Sequence, residues 1–409
     1  MDLVPYAVPF FLAAILLEFA WGLLRGRNTY RLNDTINSLS LGVLSTATKL
    51  LGLNLAGPVF GWVQTHLAPM RLDPAAVSTW IGGVLLYDFC YYWFHRISHE
   101  RTLFWASHVV HHQSEEFNLS TALRQTSTGF LVAWVFYIPC FLVGIPAEVF
   151  VTIGSAHLIY QFWIHSRHIP KLGVLEWFLV TASNHRVHHA RNPAYVDTNY
   201  GGLLIIWDRL FGTFREEREE EPCVYGITTP LRSWSPLLAN LHIYRGMASD
   251  AASSGSLTGA MQVLSSRTGW HPAGARGKAA QPVEAFRRYD PPTTPLVRAY
   301  AALQFLVAVA FSLWMEQRSP GLDGEMRWAL YGYLLLWLCA IGAILDRRRS
   351  GLAVEVVRLC AFVVLGVFFA ADSVVHVALM AYAGLSVFML AGLWRDHAGG
   401  RASRPRITA

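Results

Sequence analysis

Long apolar runs recur along the whole 409-residue chain, and they restrict its fold more than any other feature. A helix needs about 20 mostly apolar residues to cross the hydrocarbon core of a bilayer. Runs of this kind occupy residues 5–24, 38–59, 79–94, 130–143, 146–164, 297–315, 328–345, 352–370 and 374–393. Charged residues make up 15% of the chain, whereas soluble domains carry about 25%. The sequence therefore predicts an all-α integral membrane protein, a multi-span helical bundle with about nine crossings.

Three arginine clusters predict how this bundle lies in the membrane, because arginines beside membrane spans favour the cytoplasmic side. The clusters are Arg25, Arg27 and Arg31, then Arg347, Arg348 and Arg349, and last Arg395, Arg401, Arg404 and Arg406. With an outside N-terminus and nine crossings, all three clusters face the cytoplasm, and the run 79–94 ends there. The net charge of +6 is thereby explained without a nucleic-acid partner. The first run has no small-residue cleavage site after it, so we expect a retained span.

Three histidine boxes follow the apolar runs that end on the predicted cytoplasmic face. They are HRISH with His95 and His99, HVVHH with His108, His111 and His112, and HRVHH with His185, His188 and His189. Residues three or four apart share a helix face, so each box is predicted to aim two or three imidazoles at one point. Eight imidazoles are too many for one tetrahedral ion and suit two ions, each with an open position. The sequence thus predicts a histidine-rich di-metal cap in the cytosol.

The ligand type narrows the identity of these metals. The five cysteines are scattered without a CxxC spacing, so no thiolate site is predicted. Nitrogen ligation suits iron, zinc or copper. Zinc would serve hydrolysis, whereas iron would serve oxygen activation. The boxes lie where lipid acyl chains end, so inert C–H bonds are the bonds that the site can reach. We therefore expect two iron ions with O2 as co-substrate. Zinc is the alternative metal in purified protein.

Three further residues near the boxes are candidates for the site. His165 lies at a membrane edge and is a candidate ninth metal ligand. Asp88 lies seven residues before His95 inside an apolar run, and an intramembrane carboxylate there is expected to accept a hydrogen bond from a ligand N–H. Asn184 adjoins His185, and two interpretations stay open: it orients an imidazole or a metal-bound water, or it caps a helix.

Acidic residues flank the first two boxes. Glu100 follows the first box directly, and Glu115 and Glu116 follow the second. Charge runs are more often a solvated face, and the alternative is that these carboxylates bind the N–H groups of a cofactor.

The boxes and their surroundings resemble a known superfamily. With YDFCYYWFHRISH ahead and NYGGLLIIWDRLFGTF behind, they resemble the fatty acid hydroxylase/sterol desaturase superfamily of membrane di-iron oxygenases. The longer strings HHQSEEFNLSTALRQ, YQFWIHSRHIP, NHRVHHARNPAYVDTNYGG and VYGITTPLRSWSPLLANLHIYR resemble its branch that cleaves the ether bond of alkylglycerols. The resemblance runs from about residue 75 through the polar segment after the third box.

This resemblance implies ligands, cofactors and partners. The eight histidines of the boxes would be the di-iron ligands, and Glu100 would match an acidic residue associated with activity. The substrate would be a membrane lipid, oxidised with O2 and tetrahydrobiopterin to a fatty aldehyde and glycerol. The electrons would come from an external donor, either the pterin or a separate redox protein, because no GxGxxG nucleotide site follows a strand-like run.

Segment composition then predicts four parts. They are N-terminal membrane spans over residues 1–78, a fatty acid hydroxylase-like catalytic domain over 79–215, a cytosolic cap and linker over 216–296, and a four-span domain over 297–409. Only three of the 33 basic residues are lysines, in an alanine-rich background, which favours a bacterial inner membrane over the endoplasmic reticulum.

Two alternatives to ether cleavage remain open at this point. One is another lipid hydroxylase or desaturase of the same superfamily, acting on an acyl chain, a sterol or an aminolipid. The other is a metal-binding transporter or scaffold without turnover. Transporters usually show repeated halves and polar residues in mid-span, and neither is evident in the sequence.

Overall fold

The computed structural model describes residues 1–275, 280–369 and 373–399. Over these ranges the chain forms helices and no strand, with three isolated bridges between single residues. The α-helices, in chain order, are α1 Val4–Leu24, α2 Leu32–Lys49, α3 Ala56–His66, α4 Val77–Glu100, α5 Thr102–His112, α6 Leu119–Ala122, α7 Ile138–Leu142, α8 Ala147–Trp163, α9 Ala182–His188, α10 Ile206–Leu210, α11 Pro236–Ser253, α12 Leu257–Ser265, α13 Pro295–Arg318, α14 Gly324–Leu345, α15 Arg349–Phe369 and α16 Ser373–Gly399. The prediction of an all-helical protein is confirmed.

The chain separates into two compact units that do not follow chain order. Unit 1 consists of Met1–Arg31, Gly52–Leu231 and Asn240–Arg288. Unit 2 consists of Leu32–Leu51, Arg232–Ala239 and the described part of Tyr289–Ala409. Helix α2 therefore belongs with the C-terminal helices and not with α1.

Helix α4 is the central element of unit 1, where it packs against α5, α7 and α8. It ends because Arg101 adopts an extended conformation, with φ −125° and ψ 127°, and α5 starts at the next residue. This sharp turn lays the last residues of α4 against α5, so that the first two histidine boxes face each other. Before its histidines, α4 contributes Cys90 to an apolar core with Tyr137, Phe141 and Val149.

Helix α1 is held against the site by one buried carboxylate. Glu18 accepts hydrogen bonds from the Ser166 hydroxyl at 2.5 Å and from the Leu119 amide at 2.8 Å. Nearby, the rings of Phe11 and Phe162 stack at 4.1 Å. The first helix is thereby fixed beside the residue that follows His165.

Unit 2 packs α13, α14, α15 and α16 with α2 around a large apolar core centred on Trp337. A buried ion pair lies inside it, between Arg358 and Glu355 at 2.5 Å. The Tyr300 hydroxyl donates to the same carboxylate, so the charge in this apolar surrounding is neutralised and hydrogen-bonded.

Four helices of the described chain are long and apolar enough to cross a membrane: Val4–Leu24, Pro295–Gly321, Gly324–Leu345 and Val377–Arg395. They coincide with the predicted runs 5–24, 297–315, 328–345 and 374–393. The run 130–143 instead forms short 3₁₀ turns and the five-residue α7, while 146–164 forms the 17-residue α8. The count of nine crossings therefore stays a prediction. Arg401, Arg404 and Arg406 lie outside the described residues.

Candidate metal centre

Nine histidines of unit 1 converge in two groups. The five-histidine group contains His95, His99, His108, His112 and His188. The four-histidine group contains His111, His165, His185 and His189. Within each group, one ring nitrogen from every member lies within 4.8 Å of the others. The groups adjoin each other, because the rings of His112 and His189 stack at 4.2 Å.

The distances between ring nitrogens are short within each group. In the five-histidine group, the Nε2 atom of His112 lies 3.1 Å from Nε2 of both His99 and His108. In the four-histidine group, Nε2 of His185 lies 3.0 Å from Nε2 of His165 and 3.2 Å from Nε2 of His189. An ion bound at about 2.1 Å by each nitrogen would space neighbouring ligand atoms roughly 3.0–3.4 Å apart. Both groups therefore have the spacing of a first coordination sphere.

The second and third boxes are each divided between the two groups. His108 and His112 point into one group, whereas His111, on the same helix, points into the other. Neighbouring residues on a helix differ by about 100° in direction, and the rings of His111 and His112 are inclined by 87°. The third box is divided in the same way, with His188 apart from His185 and His189. Each of these two boxes therefore aims two imidazoles at one group, within the predicted two or three, and contributes its remaining histidine to the other group.

Backbone carbonyls fix the orientation of four of these rings. The Nδ1 atoms lie close to carbonyl oxygens in all four: His95 to Tyr200 at 2.8 Å, His111 to Arg124 at 3.0 Å, His165 to Gln161 at 2.7 Å and His188 to Thr198 at 2.9 Å. A carbonyl only accepts, so each Nδ1 carries the proton and donates. The Nε2 atom of each ring is then an unprotonated lone pair that faces its group.

Two of these lone pairs have no protein partner. The Nε2 atoms of His95 and His188 are buried and make no hydrogen bond to the described chain. A buried polar atom without a partner is costly, so the cluster fits a group that accepts lone pairs, namely a metal ion. The donor set is nitrogen alone, which suits iron, zinc or copper.

Burial also keeps the rings neutral. It lowers the pKa of His111 to about 4 and that of His188 to about 3, and it lowers the pKa of the other seven in the same direction. Removal from water is the largest cause, and in most of the nine the neighbouring imidazoles add to it. Neutral imidazole is the form that binds a metal, so the site is prepared for ligation at neutral pH.

Asp88 lies outside both groups. Fully buried on α4, it accepts hydrogen bonds from Nε2 of His157 at 2.7 Å, from the amides of Leu203 and Leu204 at 2.9 and 3.0 Å, and from the Trp207 indole at 2.9 Å. We expected Asp88 to accept a hydrogen bond from the N–H group of a metal ligand. Its histidine partner is instead His157, which belongs to neither histidine group. Asp88 instead anchors the chain segment that follows the third box.

Asn184 stabilises the start of α9. Its side-chain oxygen accepts from the Thr181 amide at 3.0 Å, and it occupies the third position of a capping box with Thr181. This geometry favours the capping interpretation over contact with an imidazole. Asn184 thereby fixes the first turn of the helix that carries the third box.

The three flanking glutamates have different surroundings. Glu100 is partly exposed and forms an ion pair with Arg96 at 2.8 Å. Glu116 is buried and pairs with Arg31 at 2.6 Å and Arg288 at 3.1 Å. Glu115 is also buried, with Arg31 at 3.9 Å. The burial and ion pairing of Glu115 and Glu116 argue against the interpretation that these glutamates only form a solvated face.

Sequence reasoning missed the residues that hold the rings. Thr198, Tyr200, Arg124 and Gln161 contribute through backbone carbonyls, which no side-chain pattern reveals. Asp208 is a second buried carboxylate of the same region, and burial raises its pKa to about 6. The string NYGGLLIIWDRLFGTF contains two of these groups, Tyr200 and Asp208, so the resemblance was the signal that could have found them.

Two adjoining histidine groups in a chain with membrane-crossing helices define a multi-pass membrane metalloprotein. Residues 80–213 match the family model described as fatty acid hydroxylase. Alkylglycerol monooxygenase of Homo sapiens is 35% identical over 89% of this chain and 82% of its own. The protein of that name from Danio rerio is 37% identical over 88% of this chain and 81% of its own.

A bacterial relative covers a shorter stretch. Ornithine lipid hydroxylase of Rhizobium tropici is 30% identical over 36% of this chain and 44% of its own. No solved structure matches the chain significantly. The chain belongs to the fatty acid hydroxylase superfamily, which agrees with the resemblance seen in its motifs, and it is an oxidoreductase.

Proposed function

We propose that the protein is a di-iron monooxygenase that cleaves the ether bond of alkylglycerols to a fatty aldehyde and glycerol. The observation that carries this proposal is the pair of converging histidine groups in a chain whose similarity to alkylglycerol monooxygenases extends far beyond residues 80–213. A membrane lipid is the substrate that suits the apolar helix α1, which is held beside the site through Glu18.

The five-histidine group would hold one iron and the four-histidine group, including His165, the other. Bound there, two irons would activate O2, which is the oxidant, so that it can attack an inert C–H bond. The protein contributes neutral imidazoles whose Nε2 atoms are aimed by backbone carbonyls. The burial of the rings also excludes water, which protects a reactive centre from side reactions.

The position of the hydroxyl group decides the product. Hydroxylation of the carbon next to the ether oxygen gives a hemiacetal, which collapses to a fatty aldehyde and glycerol. One oxygen atom enters the lipid and the other leaves as water, so the reaction requires two electrons and two protons from outside. We propose tetrahydrobiopterin as their source, with a separate redox protein as the alternative.

Glu100 is the carboxylate that we assign to the pterin. It lies one residue after the first box and is 34% exposed, so a diffusible cofactor can reach it. Glu115 and Glu116 are mostly enclosed and paired with arginines, and we assign them to holding α5 and its following segment in place.

We propose that the site faces the cytoplasm of a bacterial inner membrane. The arginines at the end of α1 and between α14 and α15 support this orientation. The scarcity of lysine supports a bacterial host. Nine crossings, and the parts 1–78, 79–215, 216–296 and 297–409, remain proposals about the arrangement in a bilayer.

A second candidate is hydroxylation of another lipid, which the similarity to an ornithine lipid hydroxylase favours. Product analysis separates the two. Purified protein is incubated with an alkylglycerol in air, with and without tetrahydrobiopterin, and with an ornithine lipid in parallel. Pterin-dependent fatty aldehyde supports ether cleavage. A hydroxylated ornithine lipid without aldehyde supports the second candidate instead.

A further inference from the structure

The segment 198–201 holds two rings of the same histidine group. The carbonyl of Thr198 accepts from Nδ1 of His188 at 2.9 Å, and the carbonyl of Tyr200 accepts from Nδ1 of His95 at 2.8 Å. Both rings belong to the five-histidine group, and both have a buried Nε2 atom without a protein partner. The placement of this one segment therefore decides where two lone pairs of that group point.

Asp208 holds this segment in place. Its Oδ1 accepts from the Tyr200 amide at 2.7 Å and from the Thr213 hydroxyl at 2.7 Å, and its Oδ2 accepts from the Gly201 amide at 2.7 Å. Asp208 is fully buried. Both oxygens face donors, and only an ionised carboxylate accepts on both sides. An amide in its place would turn one N–H group toward another.

Gly201 packs closely against Asp208 and Leu204. A Cβ atom added at Gly201 would lie 3.0 Å from Oδ2 of Asp208 and 2.7 Å from the carbonyl oxygen of Leu204. Just after the segment, Asp88 accepts from the amides of Leu203 and Leu204. Two buried carboxylates thus hold the backbone from Tyr200 to Leu204.

Two members of the four-histidine group are held by other parts of the chain. His111 donates to the carbonyl of Arg124 and His165 to that of Gln161, and neither carbonyl lies in the segment 198–201. The segment reaches the other two members only through α9, where the Asn199 side chain donates to the carbonyl of Asn184 at 3.1 Å. A change at Asp208 therefore acts more strongly on the five-histidine group than on the four-histidine group.

The geometry points to Asp208 as the positioning residue for metal binding in the five-histidine group, acting through the carbonyls of Thr198 and Tyr200 on His188 and His95. This inference rests on the proposed two-metal site. Removing the carboxylate moves the segment, so the Nε2 atoms of His95 and His188 no longer point toward the same ion. The four-histidine group loses less affinity, because the rings of His111 and His165 are held elsewhere.

The test is a metal titration of full-length protein in detergent. Metal-depleted wild type and Asp208→Asn are titrated with Fe²⁺ without oxygen, and bound iron is counted after removal of free ion. We expect wild type to bind two ions. We expect Asp208→Asn to bind one of them about 10- to 100-fold more weakly, the usual cost of losing a group that orients a ligand, and the other with a clearly smaller loss of affinity. Asp346→Asn is the matched control, since Asp346 of unit 2 accepts from the Trp234 amide and the Ser233 hydroxyl.

Thr213→Val is a milder second variant, which removes only the hydroxyl on Asp208. It is expected to weaken the same ion by a smaller factor. Adding His165→Ala to Asp208→Asn should then weaken both ions. Undiminished binding of two ions by Asp208→Asn, or equal weakening of both ions in Thr213→Val, overturns the inference.

If wild type binds two ions but releases no aldehyde, the proposed substrate fails while the inference about Asp208 stands.

Discussion

The Nε2 atom of His165 lies 3.0 Å from Nε2 of His185, although twenty residues separate them in the chain. His165 belongs to no histidine box, yet its ring also lies 3.2 Å from that of His111, measured between their Nε2 atoms. Its Nδ1 is fixed by the carbonyl of Gln161 in α8. The four-histidine group thus draws its members from α5, from the residues just after α8, and from α9 with its C-cap His189.

The substitution His165→Ala tests this membership. We expect it to remove one of two bound irons and to abolish turnover, because three histidines alone hold the ion poorly. The measurement is iron per chain together with aldehyde release. His168→Ala, three residues further on and outside both groups, is the control and should keep both ions. Full iron content in His165→Ala would exclude it as a ligand.

Most of this site was predictable from the sequence. The eight histidines of the boxes could be predicted, because their spacing and their place after apolar runs are both visible in the chain. His165 was predictable only as a candidate, since a single histidine carries no spacing. The division of the second and third boxes was missed because HxxHH places two rings on one helix face and the third about 100° away.

The fold was predictable where hydropathy alone decides it. The runs that became α1, α13, α14 and α16 are long and apolar, and the structure has membrane-length helices there. The run 130–143 contains helix breaks that hydropathy does not report, since its residues form 3₁₀ turns and the five-residue α7. The grouping of α2 with the C-terminal helices depends on contacts distant in sequence, which no local pattern predicts.

Asp88→Asn is expected to lower activity per folded molecule about tenfold or more while leaving expression nearly unchanged. The carboxylate accepts four hydrogen bonds, and an amide would oppose one of its donors. The measurement is aldehyde release per milligram of monodisperse protein. The control is Asp346→Asn in unit 2. Equal specific activity in Asp88→Asn would give this residue a purely structural role.

Glu100→Gln is expected to raise the KM for tetrahydrobiopterin about tenfold, because one charge-assisted hydrogen bond contributes about 1.5–3 kcal/mol. Iron content should stay at the wild-type value, since Glu100 lies outside both histidine groups. Glu148→Gln is a matched control, because Glu148 is an exposed glutamate paired with an arginine. If the KM is unchanged while kcat falls, Glu100 does not bind the pterin.

Metal binding should also stabilise the folded protein. An ion that binds the native state alone adds about 2.7 kcal/mol at a free concentration 100 times its Kd. Adding Fe²⁺ to metal-depleted protein should therefore raise Tm, and the rise should shrink in His111→Ala. The measurement is thermal unfolding in detergent, followed by intrinsic fluorescence. A wild-type Tm that does not respond to Fe²⁺ would contradict a preformed site.

The most direct test of the central claim is the iron content of wild-type protein purified from iron-supplemented cells, determined by elemental analysis against an accurate chain concentration. Two adjoining histidine groups predict two irons per chain. They also predict one iron in variants that reduce the four-histidine group to three members, such as His165→Ala or His111→Ala. Wild-type protein that is folded and holds no stoichiometric metal would contradict the account of this site and the oxygenase chemistry built on it.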